Sequence, residues 1–524
     1  MEHGNKGRNR DLFLGLDIGT TNSKAVVVNS LGEPVGQEEC RHGVETPFPG
    51  WVEHDPEKIW WDETVSLIRG LAVNSGISPN RIRAVAVSGL GAAMVPLGKS
   101  GNPLRKAVLY GIDTRAYRET AEMEKALGKE RVIEISGQPL SSQSMGPKML
   151  WLKKKEPGIY GKTEALLGTN GYVVWRLTGE KRMDTGTAHF YGPLFDIKKN
   201  CWNWEICGQF GLDYRKLPEL IEPHEEAGRV TKEAAEITGL PAGIPVIAGT
   251  TDTFAEAVGA GAINRGDVFL VYGSTMSLVV NMENPATDRT LWTNRHYLPG
   301  VYTLIGAMAT SGNLINWFTE LIQGSSPAEG EGESIRRLNE GAVKLPPGSE
   351  GLMALPYFSG ERTPIDDPAA RGVIAGLTLG HTQYHLYRAL LEGISYGFNH
   401  HLEILRDRGV KLGRIISAGG GVRNDLWTRI ISDVSGLTQY CVVPGVPAAS
   451  LGDAYMAGFG AGAFNLGDIQ RLTAALEKRE IVPDTENHAL YKRIFPLYRD
   501  LYDKTKEIVH TLQILGSGNP VEVE

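Results

Sequence analysis

Short apolar runs that stop at turn residues alternate with longer amphipathic stretches along this chain, and that alternation predicts an α/β protein. The first run, Leu12 to Leu16, ends at Asp17. It breaks at Gly19-Thr20-Thr21-Asn22 and resumes as Lys24-Ala25-Val26-Val27-Val28, a strand–turn–strand. Asp55 followed by Pro56 reads as an N-cap and first helical position, so a helix starts there. Arg83 to Val87 is a further short strand, and a helix-like segment follows Asp113. A second strand–turn–strand spans Val268 to Tyr272, Gly273-Ser274-Thr275 and Ser277 to Val280. Its turn matches the first in type, so the two halves read as diverged copies of one plan. The small residues from Ala257 to Ala262 predict a hinge or boundary between them, and the polar run that starts at Gly324 predicts a surface insertion and nothing more.

At 524 residues the chain exceeds one compact core, and two domains are expected. The boundaries expected are a flexible tail at 1–10, a first domain at 11–262, a second at 263–507 and a C-terminal tail at 508–524. An apolar content of 41% is enough for burial and excludes a largely disordered protein. The net charge of −7 is spread along the chain, which argues against a nucleic-acid or anionic-membrane partner. Cys40, Cys201, Cys207 and Cys441 are too scattered for a disulfide framework or a zinc knuckle and read as reduced thiols. The polar N-terminus lacks a signal-peptide core, and no stretch reaches the roughly 18–20 apolar residues of a membrane span. A cytoplasmic protein with no membrane partner is expected. A homodimer is the common arrangement for such proteins, with no interface legible.

Three segments present chemistry. In Asp17-Ile18-Gly19-Thr20-Thr21-Asn22-Ser23-Lys24 a strand delivers a carboxylate to a tight turn with successive N–H groups, three hydroxyls and a lysine. That is a phosphate cradle, with Asp17 placed to hold Mg2+ through water; an ordinary hairpin is the bland alternative. In Val246 to Thr253 an apolar strand ends on one carboxylate, Asp252. It suits a general base for phosphorylating an alcohol, but an aspartate there is equally the commonest helix N-cap. In Ile415 to Asn424 a strand feeds Gly419-Gly420-Gly421 and then a helix-like segment. Three glycines in a row point to a flat ligand or a phosphate at the helix start rather than to a packing turn. Gly89-Leu90-Gly91 with Asp113 beyond it superficially suggests a dinucleotide site, but the third glycine and the helix are missing, and NAD is rejected.

Taken in order, these segments resemble the FGGY carbohydrate kinases from about Leu12 to about Tyr502. The C-terminal signature is matched by Gly372 to Leu377 and His385 to Glu392. Trp51 to Pro56, Arg176 to Glu180 and Pro356 to Pro364 are similar to the family's xylulokinase branch in particular. The resemblance implies two RNase-H-like (actin-type ATPase) domains flanking a cleft, sugar on the N-terminal half, ATP on the C-terminal half, and Mg2+ as the companion ion. It implies Asp252 as catalytic base, Asp17 near the metal, and Gly19, Thr20, Thr21, Asn22, Ser23 and Lys24 as a first phosphate loop. Gly273, Ser274 and Thr275 would form the second, with Gly312, Asn316, Gly420, Gly421 and Asn424 as further nucleotide contacts. D-xylulose is the acceptor implied. One departure bears on it: in the loop from Leu90 to Ala92, Gly91-Ala92 stands where xylulokinases carry a Met-His sugar clamp, and an insertion alters the block holding Tyr110, Asp113 and Arg115. These six are the candidate sugar contacts, together with Asp252. Removing polar donors from a hydroxyl-reading site shifts specificity strongly, so another ketose, a polyol or a sugar acid is the alternative acceptor. A non-catalytic sugar and ATP sensor is the reading outside the enzyme class.

Overall fold

The computed structural model describes residues 11–284, 290–323, 331–443 and 445–516; the expected tail at 1–10 lies outside them. The chain forms two compact units. Unit 1 gathers Met1–Ile263, Asn281–Leu304 and Pro444–Leu476, and unit 2 gathers Asn264–Val280, Ile305–Val443 and Glu477–Glu524. The division is therefore not the contiguous one expected at 262/263, because two later segments return to unit 1.

Unit 1 is built on β1 (Leu12–Ile18), β2 (Asn22–Asn29), β3 (Pro34–Arg41), β4 (Ile82–Gly89), β5 (Glu226–Arg229) and β6 (Pro245–Thr251), in the order β5-β6-β4-β1-β2-β3. β1 is buried along its whole length, which is why it reads as an unbroken apolar run. It pairs antiparallel with β2 and parallel with β4, in a register that sets Asp17 opposite Lys24 on one side and Ser88 on the other. In β6 the register shifts between Ile247 and Thr250, a bulge centred on Gly249. Gly249 has φ +72°, and a Cβ there would overlap the Val87 carbonyl, so only glycine makes this bend.

The second sheet contains β7 (Val268–Tyr272), β8 (Met276–Met282), β9 (Tyr302–Met308), β10 (Ile415–Ala418), β11 (Gln439–Val442) and β12 (Lys478–Ile481), neighbours in the order β9-β8-β7-β10-β11-β12. A further strand, Trp292–Arg295, lies outside β9; in both sheets the first strand sits between an antiparallel second strand and a parallel later one, β2-β1-β4 and β8-β7-β10, so the duplicated plan inferred from the two turns extends to the pairing around the first strand.

The helices used below are α1 (Glu63–Asn74), α2 (Met145–Lys155), α3 (Asp252–Ala260), α4 (Gly312–Gln323), α5 (Glu331–Ala342), α6 (Asp425–Ser435), α7 (Ala448–Gly460) and α8 (Thr485–Gly516). Glycines explain why α7 joins unit 1. A Cβ on Gly15 of β1 would overlap the Ser450 carbonyl, one on Gly259 the Ala448 carbonyl, and one on Gly452 the Ala255 carbonyl. β1, α3 and α7 thus meet backbone to backbone, the small residues from Ala257 to Ala260 being a packing seam of α3, and the run ends at Ala262 just before the unit boundary after Ile263, as the boundary reading expected. Two other expectations change. The polar run from Gly324 lies outside the described residues as far as 330, but from Glu331 onward it is α5. The C-terminal tail placed at 508 is still α8 as far as Gly516.

Candidate active site

In unit 1 the groups converge on the carboxyl ends of β1, β4 and β6. Asp17, the penultimate residue of β1, is buried; its Oδ1 accepts from Ser88 Oγ at 3.2 Å. Burial pushes its pKa up to about 6, against the pull of Lys24 and the Ser88 bond. Asp252 is the first residue of α3. The N-cap position falls on Thr251, and the Asp252 carboxyl takes only local bonds, from Thr253 N–H at 2.7 Å and Thr253 Oγ1 at 3.2 Å. The capping alternative therefore does not describe it. Burial, and after it the charge of Asp17, pushes Asp252 up to about 7.

Two carboxylates that the sequence reading missed complete this corner. Glu256 lies one helical turn beyond Asp252. Burial, then the charges of Asp252 and Asp17, push it up to about 7. The i,i+4 spacing along a small-residue helix was the available signal. Asp453 on α7 is fully buried; its Oδ2 accepts from Ser88 N–H at 3.2 Å while Oδ1 has no hydrogen-bond partner among the described residues. Its pKa is raised well above the carboxylate range, chiefly by burial. Among the described residues no three acidic, histidine or cysteine side chains are grouped to hold a metal ion by themselves, so Asp17 fits Mg2+ as a single carboxylate acting through water, with the remaining oxygens supplied by water or phosphate.

The candidate sugar contacts separate. Gly91 faces Asp252: a Cβ built there would sit 3.9 Å from Asp252 Oδ1 and touch nothing closer. Leu90 and Ala92, by contrast, turn into the core. Tyr110 Oη accepts from Thr20 Oγ1 at 3.3 Å, which ties this block to the turn after β1. Asp113 and Arg115 correct the sequence expectation. Their side chains are fully buried and paired at 2.7 Å, Asp113 Oδ2 also accepts from Val52 N–H at 2.7 Å, and Arg115 lies 4.0 Å over the Trp51 ring. They brace the block instead of offering donors to a ligand. Lys148 on α2 braces it too. Its Nζ donates to the carbonyls of Leu109 and Tyr110 at 2.6 and 2.7 Å, and burial pushes its pKa down to about 7.

In unit 2 a cavity of 890 Å³ is lined by Gly273, Ser274, Gly312, Asn316, Gly420, Gly421 and Asn424, so seven of the sequence-predicted nucleotide residues meet on one space; Thr275 adjoins them in the turn. The start of α4 docks on this turn, with Gly312 and Asn313 N–H donating to the carbonyls of Gly273 and Ser274 at 3.1 Å each. The three glycines divide their work. Gly419, at φ +94°, and Gly421 are required by tight packing on Tyr272, whereas a Cβ on Gly420 meets nothing within 4 Å. Asn424 caps α6, accepting from Trp427 N–H at 3.1 Å. Arg336, Asn339 and Glu340 of α5 also line the cavity, so the supposed inert insertion leads into a wall of the site. Trp427 Nε1 is a buried donor without a partner among the described residues, on the same wall.

Two α/β units alike in the pairing around their first strand, each with a hydroxyl-bearing turn between its first two strands, one facing an acidic corner and the other a nucleotide-sized cavity, define a phosphotransferase of the actin-like ATPase fold. The chain belongs to the FGGY family of carbohydrate kinases: its N-terminal domain matches residues 12–259 and its C-terminal domain residues 268–461. The chain is 31% identical over 508 residues to the xylulose kinase of Lactococcus lactis, covering 95% of this chain and 98% of the relative. It is 31% identical over 458 residues to the glycerol kinase of Thermococcus onnurineus, covering 85% and 88%. The crystal structure of xylulose kinase from Rhodospirillum rubrum superposes with a TM-score of 0.89 at 31% identity, covering 95% of this chain and all of that one. The activity is thus phosphoryl transfer to a sugar hydroxyl. Among the described residues no helix is long and apolar enough to cross a membrane.

Proposed function

We propose that this protein transfers the γ-phosphoryl group of ATP to a terminal hydroxyl of a small ketose, with D-xylulose the first candidate. The observation that carries the proposal is Asp252, at the head of α3 beside the open face of Gly91. Its proton affinity is raised to about 7 by burial and by Asp17. A carboxylate of that basicity takes a proton from an attacking hydroxyl far better than an ordinary aspartate does. The hydroxyl attacks the phosphorus as Asp252 receives its proton, the bond from phosphorus to the bridging oxygen of ADP breaks, and the N–H groups and hydroxyls of the turn after β1 take up charge on the phosphoryl oxygens. ATP belongs in the unit 2 cavity, with Gly420 and Trp427 beside its base. Magnesium, when bound with ATP, would be held by Asp17 and would neutralise phosphate charge.

D-xylulose is supported by the kinship with xylulose kinases. A wider acceptor range, other ketoses, polyols or sugar acids, is favoured by the empty space at Gly91. A coupled ADP-release assay with MgATP over such a panel tests both. Release with D-xylulose supports the first candidate, and release with another acceptor assigns the difference to the Leu90–Ala92 loop. An absence of release with every acceptor, despite bound ATP, would leave the sensor reading in place of the kinase.

A further inference from the structure

The turn between β1 and β2 is held from behind by two histidines. His42 Nε2 lies 3.2 Å from the Gly19 carbonyl and His54 Nε2 lies 3.2 Å from the Thr20 carbonyl. The Nδ1 of each ring has a partner of its own. Trp60 Nε1–H donates to His54 Nδ1 at 3.2 Å, so the His54 proton sits on Nε2 and is donated to Thr20. Burial, and then the charge on His42, pushes the His54 pKa down to about 4, in keeping with a neutral ring. His42 Nδ1 lies 2.9 Å from Glu63 Oε2 at the start of α1. Its two nitrogens thus span the turn and the first residue of α1, the Gly19 carbonyl on one side and the Glu63 carboxyl on the other. The two rings stand edge to face, 5.1 Å apart. The His42 backbone N–H adds a third tie, to the Thr21 carbonyl at 2.9 Å.

A trans peptide points its C=O and the following N–H in opposite directions. Tying the Gly19 and Thr20 carbonyls to the histidines therefore turns the N–H groups of Thr20 and Thr21 the other way. No backbone hydrogen bond among the described residues takes up either donor. We propose that His42 and His54 are positioning residues that aim the Thr20 and Thr21 N–H groups at the oxygens of a bound phosphoryl group, with Glu63 holding the His42 ring in place behind the turn. The inference rests on the reading of this turn as a phosphate loop. The histidines themselves touch no substrate.

The test compares wild type with His54→Leu, His54→Gln and Glu63→Gln. Glutamine can place its amide nitrogen near the position of the ring Nε2 and keep the bond to Thr20; leucine cannot. His54→Leu is expected to lose about 10- to 100-fold in kcat, somewhat less than deletion of an oxyanion donor. The KM for the acceptor should stay within about twofold, and His54→Gln should recover most of the loss. Should the leucine variant not fold, Glu63→Gln, at the outer end of the clamp, is expected to lose several-fold in kcat with unchanged acceptor KM. Calorimetric Kd values for MgADP and for a non-hydrolysable MgATP analogue give a second readout: the preference for the triphosphate should shrink in both variants. A folded His54→Leu protein with wild-type kcat and an undiminished triphosphate preference overturns the proposal, as do equal losses in the leucine and glutamine variants. Wild-type protein that phosphorylates nothing, yet shows a triphosphate preference dependent on His54, sinks the kinase reading and leaves the clamp standing.

Discussion

Replacing Asp252 with asparagine separates catalysis from stability. The folded protein raises this carboxyl from 3.8 to about 7, by burial first and by Asp17 second. A carboxyl with a raised folded pKa binds its proton more tightly in the native state, so its ionisation opposes folding. The penalty is absent below the unfolded pKa, grows as pH rises from about 4 to about 7, and is constant above that. A rise of about 3 units, at about 1.4 kcal/mol each, sets an upper bound of about 4 kcal/mol. Solvent reaching the partly exposed side chain lowers it. Asparagine keeps an oxygen for the Thr253 N–H and carries no charge, so the variant should be more stable than wild type at pH 8.5. That advantage should shrink by about 2–3 kcal/mol on moving to pH 5. Thermal melts at the two pH values read this as a difference in Tm of several degrees. Turnover should meanwhile fall by about 10²–10⁴ with ATP binding retained. A Tm difference of the same size at both pH values would refute the electrostatic reasoning, and near-normal turnover would refute the base assignment.

The same basicity predicts that kcat/KM for the acceptor falls as pH drops through about 7, since the base must be ionised to act; a profile flat down to pH 5 would contradict it. Asp17→Ala should abolish magnesium-dependent turnover while leaving acceptor binding, followed by calorimetry, within a few-fold of wild type. Gly420→Leu extends a side chain into the unit 2 cavity, and should raise the KM for MgATP at least tenfold without altering that for the acceptor. Gly259→Ala drives a methyl group into the Ala448 carbonyl and should lower stability by about 1–3 kcal/mol or more, read as a reduced Tm.

Much of the active corner was legible from the chain because it is local. A strand that ends in a carboxylate and a hydroxyl-rich turn carries both to the same place whatever surrounds it, so Asp17, Thr20 and Thr21 could be named from the residues, while Ser274 and Asp252 took their roles from the family resemblance. The duplicated pairing was legible for the same reason: the first two strands of each half announce it. Other features required partners from distant chain. Asp113 and Arg115 look like free polar groups in sequence, and only the packing of Trp51 and Val52 around them shows that they are spent on structure. The three glycines at 419–421 are equivalent in sequence, and the position of Tyr272 decides that Gly419 and Gly421 are required by packing while Gly420, which lines the cavity with Gly421, has open space beside it. Asp453 reaches Ser88, 365 positions away in sequence, because Gly15, Gly259 and Gly452 let α7 lie backbone to backbone on β1 and α3. His42 and His54 come to the turn after β1 through β3 and the segment before α1, with no periodicity to announce it. Sequence determines which chemistry a strand or turn can present, since that follows from neighbouring residues. Which groups end up buried, paired or left facing a ligand is fixed only when remote segments close over them, because desolvation and hydrogen-bond partners are properties of the packed molecule.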